Sequence, residues 1–274
     1  MAKHLIFLLG ASRSGTSILE NYLGKNRGYL SLGEVRWAFE RGFRDNDKCG
    51  CGCLCNECEF WSKQNFDDKD LQKLSVARKY YDLPFFLRIF RNIEQSDKEL
   101  YQRAVREIYD VAFKKSDVVI DNSKRPEYLH LLAKLLKDSD VRIIVLPVIR
   151  NPMGNIKSWS TEKDTTESTV RKKMNKFNPL TAIIFYSYYN FYILKRRMTK
   201  NDLLPIFDIQ HNYELPKNLP NNEMSLNISH YHPISGNPDN NGRKDVKLII
   251  QRPKLYGFGI PLLPLYWLVR ALCK

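Results

Sequence analysis

No stretch of this chain is long and apolar enough to read as a transmembrane helix, although 43% of its 274 residues are apolar. The run His4–Leu9 is too short for a secretory h-region, and no small-residue cleavage site follows it, so it reads as a buried first strand. Acid is scarce: 30 Asp and Glu against 44 Lys and Arg leave a formal net charge of +14. That excess fits an anionic partner, whether nucleotide, nucleic acid, acidic acceptor or anionic membrane. Internal repeats and a second apolar core are also missing, so a single domain spanning 1–274 is expected, with a cytoplasmic location.

A distributed disulfide framework is absent too. Five of the six cysteines, Cys49, Cys51, Cys53, Cys55 and Cys58, stand within ten residues, and Cys273 is alone near the end. The cluster has enough ligands for a metal and enough thiols for a local disulfide. Alternate residues of a strand point to opposite faces, however, so the thiols converge only if the chain turns at Gly50 and Gly52. Unligated thiols in a loop, with no metal, are the expectation.

What is present is an alternation of apolar runs and helical spacings. The apolar run over 4–9 is followed by a Gly-bounded loop and a helix carrying Ile18, Leu19, Tyr22 and Leu23, closed by Gly24. A short strand is expected near Tyr29–Leu32, and a Cys-rich insertion or lid at about 41–69. Helical spacing returns at Leu100, Ala104, Ile108 and Val111. There follow a strand at Asp117–Asp121, a helix opened by Pro126, and a strand at Arg142–Ile149. A helix over 180–198 and a strand at Leu204–Ile209 come next; the Asn- and Pro-rich stretch 212–241 reads as loop. The order implies an α/β fold of three layers, P-loop-like, with a central, mainly parallel sheet. The apolar tail at about 255–274, broken by Pro261 and Pro264, reads as a terminal helix packed on the domain, with peripheral membrane contact the alternative.

The segment Gly10–Ser17, GASRSGTS, lies between the first strand and first helix, where backbone N–H groups and a helix dipole face an anion. Its glycine spacing matches a Walker A loop only to Gly15; Thr16 stands where a nucleoside triphosphatase needs lysine. Arg13 puts a cation elsewhere in the loop. Two further segments, Val118–Leu129 and Val148–Ser160, follow the strongest later strands, and ligands in open α/β sheets bind beyond the carboxyl ends of strands. Arg13, Lys124 and Arg150 should therefore surround one crevice.

These segments together resemble the sulfotransferase superfamily, most strongly over about residues 3–40 and 115–160, and most closely the tyrosylprotein sulfotransferases and bacterial relatives. Gly10–Ser17 looks like that family's 5′-phosphosulfate loop, and Arg150 with Ser158, eight residues on, like its 3′-phosphate element. Gly33-Glu34 resembles the pair that carries the family's base. Lys124 resembles its catalytic lysine with one residue inserted before it, and the run ending Cys58-Glu59-Phe60-Trp61 looks like an insertion of bacterial members. His232, Gly236, Asn237 and Pro238 resemble a late loop near the nucleotide. The chain departs at Asn151, where the family usually has Asp, and at Tyr213-Glu214-Leu215-Pro216, which keeps only the start of an acidic helix.

The resemblance implies transfer of a sulfuryl group from 3′-phosphoadenosine 5′-phosphosulfate (PAPS) to a hydroxyl or amine acceptor, with no metal required. Glu34 would be the base, with Lys124 and Arg13 stabilising charge on the donor. Ser12, Arg13, Ser14, Gly15, Thr16 and Ser17 would hold the 5′-phosphate, Arg150 and Ser158 the 3′-phosphate, and Arg243 would add a contact. A small molecule, glycan, lipid or peptide can serve as acceptor. Two rivals stand beside this reading, a nucleotide-dependent kinase and a non-catalytic basic binder of nucleic acid or sulfated glycan. Nucleic acid is disfavoured because the basic run Arg171–Lys176 has no interleaved aromatics.

Overall fold

The structure is a computed structural model that describes residues 2–64, 66–162, 176–199, 207–208, 231–234 and 261–272. Strand β1 (Lys3–Leu9), helix α1 (Thr16–Arg27) and strand β2 (Leu30–Gly33) form the first βαβ unit. Helices α2 (Asp68–Tyr81) and α3 (Gln95–Lys115) precede strand β3 (Val118–Lys124), helix α4 (Pro126–Leu135), strand β4 (Val141–Ile149) and helix α5 (Pro152–Ser160). Helix α6 (Pro179–Thr199), the short strands β5 (Phe207–Asp208) and β6 (Tyr231–Ile234), and helix α7 (Leu263–Leu272) complete the described elements. The strands make one sheet in the order β5-β4-β1-β3-β2-β6, and every pairing is parallel. The expected α/β three-layer architecture is what the chain adopts.

The layers follow from the strand period. Leu5, Phe7 and Leu9 of β1 join one core with Leu71 and Leu74 of α2, Tyr101 and Ile108 of α3, and Leu129 and Leu132 of α4. Ile6 and Leu8 point the other way, onto Leu19 and Leu23 of α1. Sandwiched between helical layers, β1 must be apolar on both faces, which is why it reads as a continuous run. Local signals set the boundaries. Asp67 caps α2 by accepting from Asp70 N at 2.7 Å, and Pro126 and Pro152 open α4 and α5.

Several boundaries differ from the sequence expectation. Helix α1 runs through Gly24 and ends at Gly28, which takes the left-handed cap with φ 66°. The stretch 212–241 contains strand β6 despite its loop-like composition. Pro233 is tolerated there because β6 lies at the sheet edge and pairs only with β2. The insertion is not one loop: Ala38–Arg44 is a π-helical segment, residues 47–55 fold back through the Lys48–Leu54 bridge, and α2 begins at Asp68. The tail does form a terminal helix, α7, whose Tyr266 and Val269 are buried; no described helix is long and apolar enough to cross a membrane. Arg243, Gly236, Asn237, Pro238, Tyr213–Pro216 and Arg171–Asn175 lie outside the described residues.

Candidate functional site

The site forms where β1, β2, β3 and β4 end. Gly10, leaving β1, passes so close to β4 that a Cβ there would sit 2.4 Å from the Val148 carbonyl oxygen. The loop then takes left-handed conformations at Arg13 (φ 68°) and Gly15 (φ 90°) before α1 begins. Gly15 is the N-cap and no side chain caps the helix, which leaves first-turn N–H groups facing the loop. Positive φ at an arginine is a strained state, and such strain collects at ligand sites.

Helix α5 clamps this loop from the β4 side. Asn155 Nδ2 donates to Ser12 O at 3.0 Å and to Ser14 Oγ at 3.3 Å, and Trp159 Nε1 donates to Ser12 O at 3.0 Å. Arg150 Nη1 donates to the Arg13 carbonyl at 2.9 Å, while Tyr186 of α6 holds the Arg150 carbonyl at 3.0 Å. Arg13 lies 5.5 Å from the Trp159 ring centroid, and that ring stacks on Phe177 at 4.4 Å. Burial lowers the Arg13 pKa, an effect opposed by the charge of Glu34; burial and then the neighbouring Arg13 lower that of Arg150. Two partly desolvated guanidiniums held beside an N–H-rich loop make a place for an anion. Ser158 is half-buried, immediately before Trp159 on α5. Asn151, in the place of the family's Asp, caps α5 by accepting from Met153 N at 2.9 Å, so the substitution preserves the helix start.

On the other side, the inserted residue of β3 is absorbed as a bulge. Phe7 of β1 faces Asp121 and Leu9 faces Lys124, so β3 carries one residue more than β1 over the same length. Lys124 is thereby turned into the left-handed region, φ 67°, and its buried ammonium pairs with Glu34. Glu34 also meets Arg36 Nη2 at 3.3 Å, and Arg36 Nη1 binds Asp82 at 2.8 Å. Burial works to raise the Glu34 pKa, but Lys124, then Arg36 and Arg41, outweigh it and hold the carboxylate down to about 2. The turn into Glu34 needs Gly33: its φ is 75°, and a Cβ would lie 2.3 Å from the Ile234 carbonyl oxygen.

The sequence-derived residues Arg13, Lys124, Arg150 and Glu34 thus come together through direct contacts or near charges. Sequence reasoning missed Glu20, which ties the crevice floor together. Its Oε1 accepts from Ser31 Oγ at 2.6 Å and Gly33 N at 2.7 Å, and its Oε2 from Asn122 at 2.8 Å. Burial raises its pKa to about 7 against those hydrogen bonds. Its signal was weak: a lone acid beside the apolar pair Leu19 and Leu23. Asn155 and Trp159 were missed as well, although their i,i+4 spacing in a recognised segment puts them on one helix face.

His232 is not beside the crevice residues just described. It is buried among the cysteines, with Nδ1 3.2 Å from Cys58 Sγ. Cys49, Cys51, Cys58 and His232 have ligand atoms within 4.8 Å of one another, made possible by turns at Gly50 and at Gly52, whose φ is 97°. Scans against models of known protein families and against curated proteins find no match to this chain.

Proposed function

We propose that the chain transfers a sulfuryl group from PAPS to a hydroxyl or amine acceptor. The observation that carries the reading is the Lys124–Glu34 pair facing an N–H-rich loop that holds Arg13 where a Walker loop would have its lysine later on. Sulfuryl transfer asks the protein for in-line positioning and for cations at the phosphosulfate, and both are met by side chains. The loop N–H groups, Ser12, Ser14, Gly15, Thr16 and Ser17 cradle the 5′-phosphate, and Arg13 neutralises it. Arg150 and Ser158 take the 3′-phosphate.

In the free protein Lys124 holds Glu34 as an unreactive, strongly acidic carboxylate. When donor enters, the phosphosulfate offers Lys124 a second anion. Drawing the ammonium toward the bridging oxygen removes the main charge that depresses Glu34, so the base gains proton affinity only when there is donor to use it. Glu34 then accepts the acceptor's proton as the acceptor oxygen or nitrogen attacks sulfur. The S–O bond to the 5′-phosphate breaks, and 3′-phosphoadenosine 5′-phosphate leaves with Lys124 stabilising its new charge.

Isothermal calorimetry tests the donor assignment. The expected result is binding of 3′-phosphoadenosine 5′-phosphate without Mg²⁺ and more tightly than ATP. Tighter, Mg²⁺-dependent ATP binding would replace the reading with a kinase, and no nucleotide binding at all would replace it with a basic binding protein.

A further inference from the structure

The five clustered cysteines do not behave alike. Cys55 is buried and points into the core, its Sγ 3.7 Å from where a Cβ on Gly42 would be. Cys53 is exposed. The other three converge: Cys58 Sγ lies 3.6 Å from Cys49 Sγ and 3.7 Å from Cys51 Sγ. His232, 174 residues along the chain from Cys58, brings Nδ1 to 3.2 Å from the same sulfur. A disulfide needs its sulfurs at about 2.05 Å. Ligands around one tetrahedral zinc, at about 2.3 Å for sulfur and 2.0–2.1 Å for nitrogen, stand roughly 3.5–3.8 Å from one another. The observed spacings fall near the second figure.

We propose that Cys49, Cys51, Cys58 and His232 bind one zinc ion that pins the edge strand β6 to the cysteine-rich segment. Three thiolates and one imidazole are a soft, borderline donor set that suits zinc over calcium or magnesium. Binding displaces the remaining thiol protons to solvent as the metal–sulfur bonds form. The surroundings are built to support the ligands. Backbone N–H groups of Phe60 and Trp61 donate to Cys58 Sγ, and these, with the thiols of Cys49 and Cys51, keep it in the thiolate form against burial. Trp61 Nε1 donates to the His232 carbonyl at 2.8 Å, and Phe60 stacks on the imidazole with 5.8 Å between ring centroids. Gly50 N donates to the Pro233 carbonyl at 2.9 Å, fixing the turn against the strand. Such outer contacts orient metal ligands.

A metal here has a structural consequence for the crevice. Strand β6 has one sheet neighbour, β2, and Ile234, two residues after His232, accepts from Glu34 N at 2.8 Å. Zinc closes the otherwise weakly held edge and so holds the backbone from which Glu34 projects. It is a structural site, with four protein ligands and no position for substrate.

The test uses the full chain, purified under reducing conditions from zinc-supplemented medium. One equivalent of zinc is expected, released when the thiols are modified and read with a chromogenic chelator. Replacement by cobalt(II) should produce the intense red-region band of a tetrahedral ion together with thiolate-to-cobalt charge transfer in the near ultraviolet. Cys51→Ser, at an exposed position, should abolish tight binding, as should His232→Ala, whereas Cys53→Ser should keep the full equivalent. Wild-type protein that is metal-free and gives no cobalt band overturns the proposal whatever the variants do. Retention of tight binding by Cys51→Ser, or its loss in Cys53→Ser, overturns the ligand set. Zinc removal should lower the melting temperature of the wild-type protein; an unchanged value refutes the pinning of β6.

Discussion

Replacing Glu34 by Gln separates the two roles the crevice assigns to this carboxylate, as partner of Lys124 and as base. Both side chains of the ion pair are mostly buried, 6% exposed for Lys124 and 13% for Glu34. Depression of the Glu34 pKa from 4.5 to about 2, at about 1.4 kcal/mol per pH unit, corresponds to about 3 kcal/mol of stabilisation. Breaking a buried pair from one side costs about 3–5 kcal/mol, and the amide still accepts a hydrogen bond, so the lower end applies. About 3 kcal/mol in a chain of this size lowers the melting temperature by roughly 6–12 °C. The sign is fixed by linkage. Because the folded pKa lies below the ordinary one, the stabilisation is complete above about pH 4.5 and is lost as pH falls through about 2. Denaturant titrations should therefore show the gap between wild type and Glu34→Gln at pH 7, undiminished at pH 5 and narrowing toward pH 3. Nucleotide binding should move the other way. In the variant the donor no longer competes with Glu34 for Lys124, so 3′-phosphoadenosine 5′-phosphate should bind at least as tightly as to wild type and raise the melting temperature more. Transfer to an acceptor should slow by about 10²–10⁴-fold. A tenfold loss of nucleotide affinity, or wild-type turnover in a variant shown to be folded, refutes the reasoning.

Arg150→Ala should remove one charge-assisted contact worth roughly 1.5–3 kcal/mol, so calorimetry should show about 10–150-fold weaker binding of 3′-phosphoadenosine 5′-phosphate with little change for ligands lacking the 3′-phosphate. Asn155→Ala frees the loop at Ser12 and Ser14 and should weaken both kinds of ligand alike, a contrast visible in the same titrations. Glu20 behaves opposite to Glu34. Its folded pKa is raised to about 7, so its contribution to stability is complete below about pH 4.5 and is lost as pH rises through about 7. Wild type should lose stability between pH 5 and pH 8, a trend to which Asp121, raised to about 6 by burial, adds. Glu20→Gln should flatten that slope, as measured by melting temperature across the range.

The sequence by itself determined the layer order and most of the crevice. Apolar runs at β1 and β4, and the helical spacing of α3 and α4, are local patterns that tertiary packing reinforces, and parallel strands then oblige their trailing loops to share one end of the sheet. Arg13, Glu34, Lys124 and Arg150 could be named on that ground alone, since each stands at or just beyond a strand's carboxyl end. Tertiary structure decided what those residues touch. The Lys124–Glu34 pair depends on a bulge in β3 and a left-handed turn at Gly33, neither of which has a periodic signature. The clamp by Asn155 and Trp159 depends on the angle at which α5 leaves β4, and the Glu20 bonds on the seating of α1. Strand β6 was hidden by its proline and its brevity; only the edge of β2 gives it a partner. The cysteine cluster looked like loop thiols because local spacing describes five cysteines and no histidine. The fourth member of the group, His232, arrives from the far end of the chain through the pairing of β6 with β2, a contact between distant segments that local spacing does not encode.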